Sequence, residues 1–438
     1  MNNRKQTLQV ALLAALCSMG ATPATALEVL GDEDSGTKLD FNIDFVSAGF
    51  VGSNSWFGQS EEFLGEDTDN WAEFGVEPKF SFETRAGKGT LVAQLSGVYT
   101  NTFDDDASGL TLGLGDTDDV TLEQANIGWK ASDLFSGLED DEFSITLGRQ
   151  DYKISNGMIM ADGGGDGGNR GGWYIGMRKA FDEAAIARLK TDKWLVEGFH
   201  LQNDPRSGGI EGEADGANFE YTFTDVALGG SYLFVDPKIP GEDSLDVISA
   251  RVDWGGERPL HLRGEYVAED SDDIDADGWY AEIEYAASAV TWSPIFSYRY
   301  AHFSGDDPLT ADDEQFREIA YGFTDYGYWY QGEIAGNYPL ANGNIVSHMV
   351  RAKMQPSEKL TMNVLLYRFE LDEPAALDPA VTDDHFGDEI DVTLDWAATD
   401  QLYVIGVLGV LFPGDAAEQW TGGDDDWLYG MLYLTYSW

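Results

Sequence analysis

The strongest constraint on this chain is a two-residue alternation that returns along most of its length. Glu77, Lys79, Ser81, Glu83 and Arg85 share one face of a run whose other face is Pro78, Phe80, Phe82 and Thr84. Ser249, Arg251 and Asp253 alternate with Ile248, Ala250, Val252 and Trp254, and Asp391, Thr393 and Asp395 with Ile390, Val392, Leu394 and Trp396. A period of two sends successive side chains to opposite faces of a strand, so charge gathers on one side of a sheet. In a sandwich that side meets bulk water; in a membrane barrel it meets a wet lumen while the apolar side meets lipid. Alternation alone leaves both open.

The spacing of the runs decides between them. Eighteen strands are predicted, near 40–50, 72–84, 89–101, 119–130, 142–150, 182–190, 194–203, 214–223, 226–235, 245–254, 259–268, 278–288, 290–303, 344–355, 359–371, 387–397, 401–411 and 427–438. Their connections alternate between long (51–71, 102–118, 151–181, 304–343) and short (Arg85 to Lys88, Thr191 to Lys193, Pro356 to Glu358), with 131–141 as the exception. Long extracellular loops, tight periplasmic turns and an even strand number are the pattern of outer-membrane barrels. Sixteen strands is the alternative count. No apolar run after the first 26 residues reaches the roughly 18 residues a membrane helix needs; the longest is Leu402 to Phe412.

Both ends of the chain carry export signals. Arg4 and Lys5 precede an apolar run from Val10 to Met19, and Ala24-Thr25-Ala26 offers small residues for cleavage, so residues 1–26 read as a signal peptide and 27–438 as the barrel. The single cysteine, Cys17, lies in that leader, which leaves no disulfide and no thiolate site in the exported part. At the other end Tyr436, Leu434, Leu432, Gly430 and Leu428 share the face of the terminal Trp438, a strand of the kind the barrel-assembly machinery recognises. Trp254, Trp279, Trp292, Trp396 and Trp427 fall near strand ends and suit the aromatic girdles of a membrane barrel. The expected location is the outer membrane of a Gram-negative bacterium.

A net charge of −53 argues against nucleic acid as a partner. One stretch departs from this acidity. Arg149 to Lys193 holds eight Lys/Arg against six Asp/Glu, and nine of the 31 residues from Asp151 to Phe181 are Gly. Such a segment is a long loop rather than a packed element, and we read it as folded into the pore.

Leu147-Gly148-Arg149-Gln150, the Gly-rich loop and then Arg178-Lys179-Ala180-Phe181-Asp182 resemble the GRQ and R-x-F-D signature of the alginate-export porin family. The resemblance implies an outer-membrane channel for an anionic polyuronate with a cationic constriction. Independently of it, a carboxylate entering a narrow pore loses water, and Arg or Lys on the wall offsets that loss with charge-assisted hydrogen bonds. The candidate anion-binding residues are Arg149, Lys153, Arg170, Arg178 and Lys179 of the loop, with Lys79, Arg85, Arg251, Arg263, Arg299, Arg351 and Lys353 of the strands. Half of the strand cations are expected merely to brace the wall, since Glu83, Asp253 and Glu265 stand two residues from Arg85, Arg251 and Arg263.

The expected partners are outer-membrane lipid, the assembly machinery and an anionic polysaccharide or small anions. Acidic outer loops such as 102–118 and 269–277 repel anions outside and favour export. A general, anion-selective or sugar-selective uptake porin is the alternative. No cofactor is expected. Asp273, Asp275, Asp277 and Glu284 satisfy a calcium-loop spacing, but the flanks read as strands, so an acidic loop is the first reading and a weak calcium site the second. An enzyme is disfavoured, because His200, His261, His302, His348 and His385 are scattered and form no HExxH pair, and no G-x-S-x-G turn occurs. His200 and His302 stay open as candidates near the outer strand ends.

Overall fold

The computed structural model describes residues 27–32, 35–112, 114, 116–132, 139–205, 212–238, 243–322 and 331–438. The leader assigned to residues 1–26 lies outside them. The strands are β1 (Leu27–Asp32), β2 (Thr37–Ser53), β3 (Asn70–Arg85), β4 (Gly89–Phe103), β5 (Thr117–Ala131), β6 (Phe143–Arg149), β7 (Glu183–Lys190), β8 (Trp194–Gln202), β9 (Glu213–Phe223), β10 (Val226–Asp236), β11 (Leu245–Trp254), β12 (Leu260–Asp270), β13 (Asp275–Ala286), β14 (Ile295–Phe303), β15 (Ile345–Ser357), β16 (Leu360–Glu370), β17 (His385–Ala397), β18 (Leu402–Pro413) and β19 (Trp427–Ser437). From β2 to β19 each pairs antiparallel with the next, and β19 returns to β2 from Leu428↔Ser53 to Ser437↔Asp44. The result is a closed barrel of eighteen strands, which leaves no open edge.

All eighteen barrel strands coincide with predicted runs, and the largest discrepancy is at β14. It starts at Ile295, because residues 287–294 form the turn before it. β1 was not predicted. It pairs with the first residues of β2, Leu27 opposite Phe41 and Asp32 opposite Thr37, just below the point where Trp438 exchanges hydrogen bonds with Ile43 (2.9 and 3.0 Å). Its LEVLGD sequence shows too little alternation to signal a strand.

The alternation sets which face turns outward. Val120, Ile127, Ile248 and Leu408 project from the barrel at 71, 51, 58 and 69% exposure, while Glu77, Ser249, Asp391 and Thr393 of the opposite faces are buried inside. Leu408 pairs with Gly430 in the middle of β18. Leu408→Arg is therefore expected to destabilise the barrel by about 2–4 kcal/mol, the cost of an arginine near the bilayer midplane, measured by refolding into lipid vesicles. An unchanged stability would contradict the assignment of the outer face.

At the short-turn end Trp194 packs on Phe219 and Tyr221 (centroids 5.4 and 4.2 Å), and Trp292 and Trp396 stand half exposed, as a girdle requires. Trp427 does not belong to it. At 2% exposure it lies on the inner face, packed against Trp56, Phe57 and Tyr338 beneath the outer loops. It begins its strand on the opposite parity from Leu428, so its ring points inward.

Candidate pore constriction

The loop between β6 and β7, residues 150–182, runs inside the barrel in two arms. The first arm crosses to the far wall. Tyr152 packs on Phe199 (4.8 Å), Asn156 donates to the Tyr280 hydroxyl (2.7 Å), and Gly157, Ile159, Ala161 and Asp162 exchange backbone hydrogen bonds with Ala320 and Gly322. These last two belong to the long connection 304–344, so a second loop also enters the lumen. The second arm lies along β3 and β4, where Gly171 and Gly172 pass so close to Thr102 and Thr100 that a Cβ at either would meet them within 2.8 Å. Glycine is required at both by this approach and by φ values of 67° and 72°.

Wall carboxylates hold these loops by their backbones. Glu73 Oε2 accepts the N–H groups of Tyr174 and Ile175 (2.9 and 3.0 Å), and Glu123 Oε1 those of Lys179 and Ala180 (2.8 and 2.9 Å). Glu389 accepts Ile334 and Ala335 (2.8 Å each), Asp391 accepts Glu333 (3.3 Å) and Glu269 accepts Arg317 (2.9 Å). Buried backbone donors need acceptors, and each carboxyl oxygen supplies one. Much of the barrel's interior acidity thus serves to dock loops.

The cations divide into braces and free groups. Arg149 donates to the Glu123 carbonyl (3.1 Å), to Asp182 (2.6 Å) and to Asp204, which Arg170 also grips (3.0 Å). Burial works to raise the Asp204 carboxyl, but hydrogen bonds from Arg170 and Arg149 hold it below the usual range. Arg178 is wholly buried, donating to Thr100, Thr121 and the Asp119 carbonyl and ion-paired with Asp166 (3.4 Å). Arg149, Arg170 and Arg178 therefore fasten the loop, and none presents a guanidinium to the lumen in the way expected of an anion site.

Among the strand cations, Arg251 reaches Ser231, Ser249, Asn218, Glu220 and Glu265, and Arg351 and Arg263 converge on Glu284 (3.0 and 3.9 Å). Arg299 is wholly buried opposite Glu282, and Lys79 pairs with Glu77 (3.3 Å). The braces expected from residues two apart come mostly from neighbouring strands instead, because ladder neighbours lie closer than i and i+2 on one strand. Arg85 is exposed at the short-turn end and Lys353 is half buried; neither makes an ion pair among the described residues.

The calcium spacing is not assembled. Asp275 opens β13 and Glu284 follows nine residues later on the same strand, about 30 Å away at 3.3 Å per residue. No group of three metal-ligating side chains occurs among the described residues. His200 and His302 bond to Asp215 and Asp372 (2.9 Å each).

Between the two arms lies a cavity of about 620 Å³. Lys153, Lys179 and Arg188 line it, facing Asp151, Asp162 and Glu333. Neither lysine makes a side-chain hydrogen bond or close ion pair among the described residues. Arg188, which the sequence reading passed over, gives its Nε to Glu197 (2.5 Å) and keeps 42% of its side chain exposed. Its signal was parity, since Ala184, Ile186 and Arg188 share the inner face of β7. Burial, together with Glu389, pushes the Glu333 carboxyl up to about 8, and burial pushes Asp162 up to about 6. Burial thus weakens the negative charge of Glu333, and the two lysines face Asp151 and Asp162 across the cavity. Lys153 also lines a second cavity of about 380 Å³ with Arg251 and Arg263.

The family model described as alginate export matches residues 181–426, more than half of the chain. The chain belongs to the alginate export family. No curated protein matches it at the significance required. Among solved structures the barrel is similar to Pseudomonas aeruginosa OccK1 (OpdK), at 13% identity over 91% of this chain and 99% of that one with a TM-score of 0.59. It is also similar to OccK5 (OpdH) of the same organism, at 11% identity over 91% and 97% with a TM-score of 0.56, and to its OccD3 (OpdP), at 11% over 95% of each with a TM-score of 0.56. At such identities these neighbours speak for the fold alone. This alginate export family member is an outer-membrane channel, and its family and fold are those of export channels and porins, not of enzymes.

Proposed function

We propose that this channel passes an anionic polysaccharide of the polyuronate type outward across a Gram-negative outer membrane. The observation that carries this reading is the pair of ammonium groups, Lys153 and Lys179, which make no side-chain hydrogen bond or close ion pair among the described residues and stand on a loop fastened inside the lumen, in a cavity where burial pushes the Glu333 carboxyl up to about 8. An anion shedding water in the narrow section finds donors there that are not already taken up in hydrogen bonds. The outer mouth has the opposite sign. Residues 304–344 carry eight acids and one base, and 371–384 and 414–426 carry five acids each and no base. That collar repels anions approaching from outside and favours outward traffic. Trp438, beside the barrel seam, is the residue the assembly machinery would read.

The test is planar-bilayer recording with the refolded full chain in a salt gradient. Anion preference and block by oligouronates are expected. Lys153→Ala combined with Lys179→Ala should reverse the preference and weaken the block by about tenfold or more, equivalent to about 1.4 kcal/mol. Cation preference without uronate block in the unsubstituted protein would sink the reading and leave a general diffusion porin.

A further inference from the structure

Two adjacent strands break the rule that a barrel of this kind is polar inside. Leu402–Pro413 and Trp427–Ser437 contain no charged residue, and both of their faces are largely apolar. The inward positions are Ile405, Val407 and Leu411 of β18 and Trp427, Tyr429, Met431 and Tyr433 of β19, paired as Ile405↔Tyr433, Val407↔Met431 and Leu411↔Trp427. The upper members are sealed beneath the docked loops. The lower ones, Ile405, Met431 and Tyr433, are only half-buried and line the constriction together with Trp173. Apolar surface held open to a hydrated passage is unusual where the neighbouring wall, β17, offers Asp391, Thr393 and Asp395.

The opposite side of the passage supplies the charge. β7, which carries Arg188, stands six strands round the ring from β19, and Lys153 reaches toward β10–β13 on the far side. The second arm is pinned to the apolar side, where the Tyr433 hydroxyl donates to the Ile175 carbonyl (3.2 Å). The passage therefore has an aromatic wall, bordered by Lys179 of the same arm, and across from it a cationic wall with Lys153 and Arg188.

We infer that Tyr433 and Trp173, backed by Met431 and Ile405, form a stacking platform for the C–H face of a pyranose ring. Resting on the polyuronate reading, this makes the ligand a ring-bearing carboxylate, one face laid on the platform and its carboxylate turned to Lys153 and Lys179. Flexible acyclic polyanions lack that face, so the platform discriminates by ring and the lysines by charge.

The same bilayer assay decides this with three probes of matched length: a hexameric oligouronate, hexaglutamate and a neutral hexasaccharide. The oligouronate should dwell about tenfold longer than hexaglutamate, the factor one aromatic contact of about 1.4 kcal/mol supplies. Tyr433→Ser and Trp173→Ser should each shorten the oligouronate dwell several-fold and leave the hexaglutamate dwell unchanged. Tyr433→Phe, which keeps the ring and loses the bond to Ile175, should retain the longer dwell of the oligouronate over hexaglutamate that Tyr433→Ser loses. Equal loss for both anions in the serine variants, or no loss for the oligouronate, would overturn the platform while leaving an anion channel. Block by the neutral sugar alone, lost in Tyr433→Ser, would keep the platform and overturn the polyuronate reading.

Discussion

Replacing Glu73 and Glu123 together by alanine is expected to raise the single-channel conductance several-fold and to abolish block by oligouronates. Each carboxylate is almost wholly buried and accepts two consecutive N–H groups of the second arm of the inserted loop. Removing one leaves two buried donors without an acceptor, at about 1–3 kcal/mol per group. For the pair of substitutions that approaches the whole stability of a typical domain, so the arm should leave the wall rather than stay docked. Glu123 also stands 3.9 Å from Arg149, which anchors the root of the loop. The barrel itself should persist, since its strand ladder does not depend on these contacts. Glu73→Gln with Glu123→Gln keeps one acceptor oxygen at each site and should give a smaller rise. Unchanged conductance in the double alanine variant would show that the loop is held by its remaining ties, Arg178 above all.

The second large effect concerns pH and the loop 304–344. Its Glu333 is buried against Glu389 and Asp391 of β17, with Asp395 further down the same face, and no Lys, Arg or His contacts this group among the described residues. Burial and Glu389 push Glu333 up to about 8, and burial pushes Glu318 of the same loop up to about 7. Free in water, both would titrate near the ordinary value of about 4.3. The docked loop thus binds protons that the released loop gives up. Docking is strongest below about pH 4, weakens as the pH climbs from there, and has lost this contribution once the pH exceeds about 8. Conductance and open-channel noise should accordingly be larger at pH 9 than at pH 5. Glu333→Gln with Glu318→Gln should flatten that dependence. A flat profile in the unsubstituted channel, or an equally steep one in the double variant, would place the pH response elsewhere.

Strand positions could be read from the amino acids alone because each barrel strand meets lipid on one side and water on the other, and that contrast imposes a local period of two. The runs around Glu77, Ser249 and Asp391 announced their faces, and the last strand announced its parity from Trp438 back to Leu428. β1 escaped because six residues at the barrel rim face no such contrast. The Gly-rich stretch 151–181 was recognisable as a loop with an unusual balance of charge, but the roles of its cations were not. Arg149, Lys153, Arg170, Arg178 and Lys179 were equal candidates in the sequence; Arg149, Arg170 and Arg178 are fasteners, whereas Lys153 and Lys179 have no such task. Which side a loop cation takes depends on acceptors far away in sequence, Thr100, Asp119, Glu123 and Asp204, and these meet only when the ring closes.

The entry of residues 304–344 into the lumen was equally invisible. Its ties run to the first loop through Ala320 and Gly322 and to β17 through Glu333 to Ala335, with no local pattern to mark them. So the amino acids by themselves determined the barrel and which faces of its strands meet lipid, both consequences of neighbours in sequence meeting two solvents, while the closing of the ring chose eighteen strands over sixteen. Only the tertiary structure decided which charges are spent on holding two loops in place and which remain to meet a ligand, because that division is made by contacts between residues far apart in sequence.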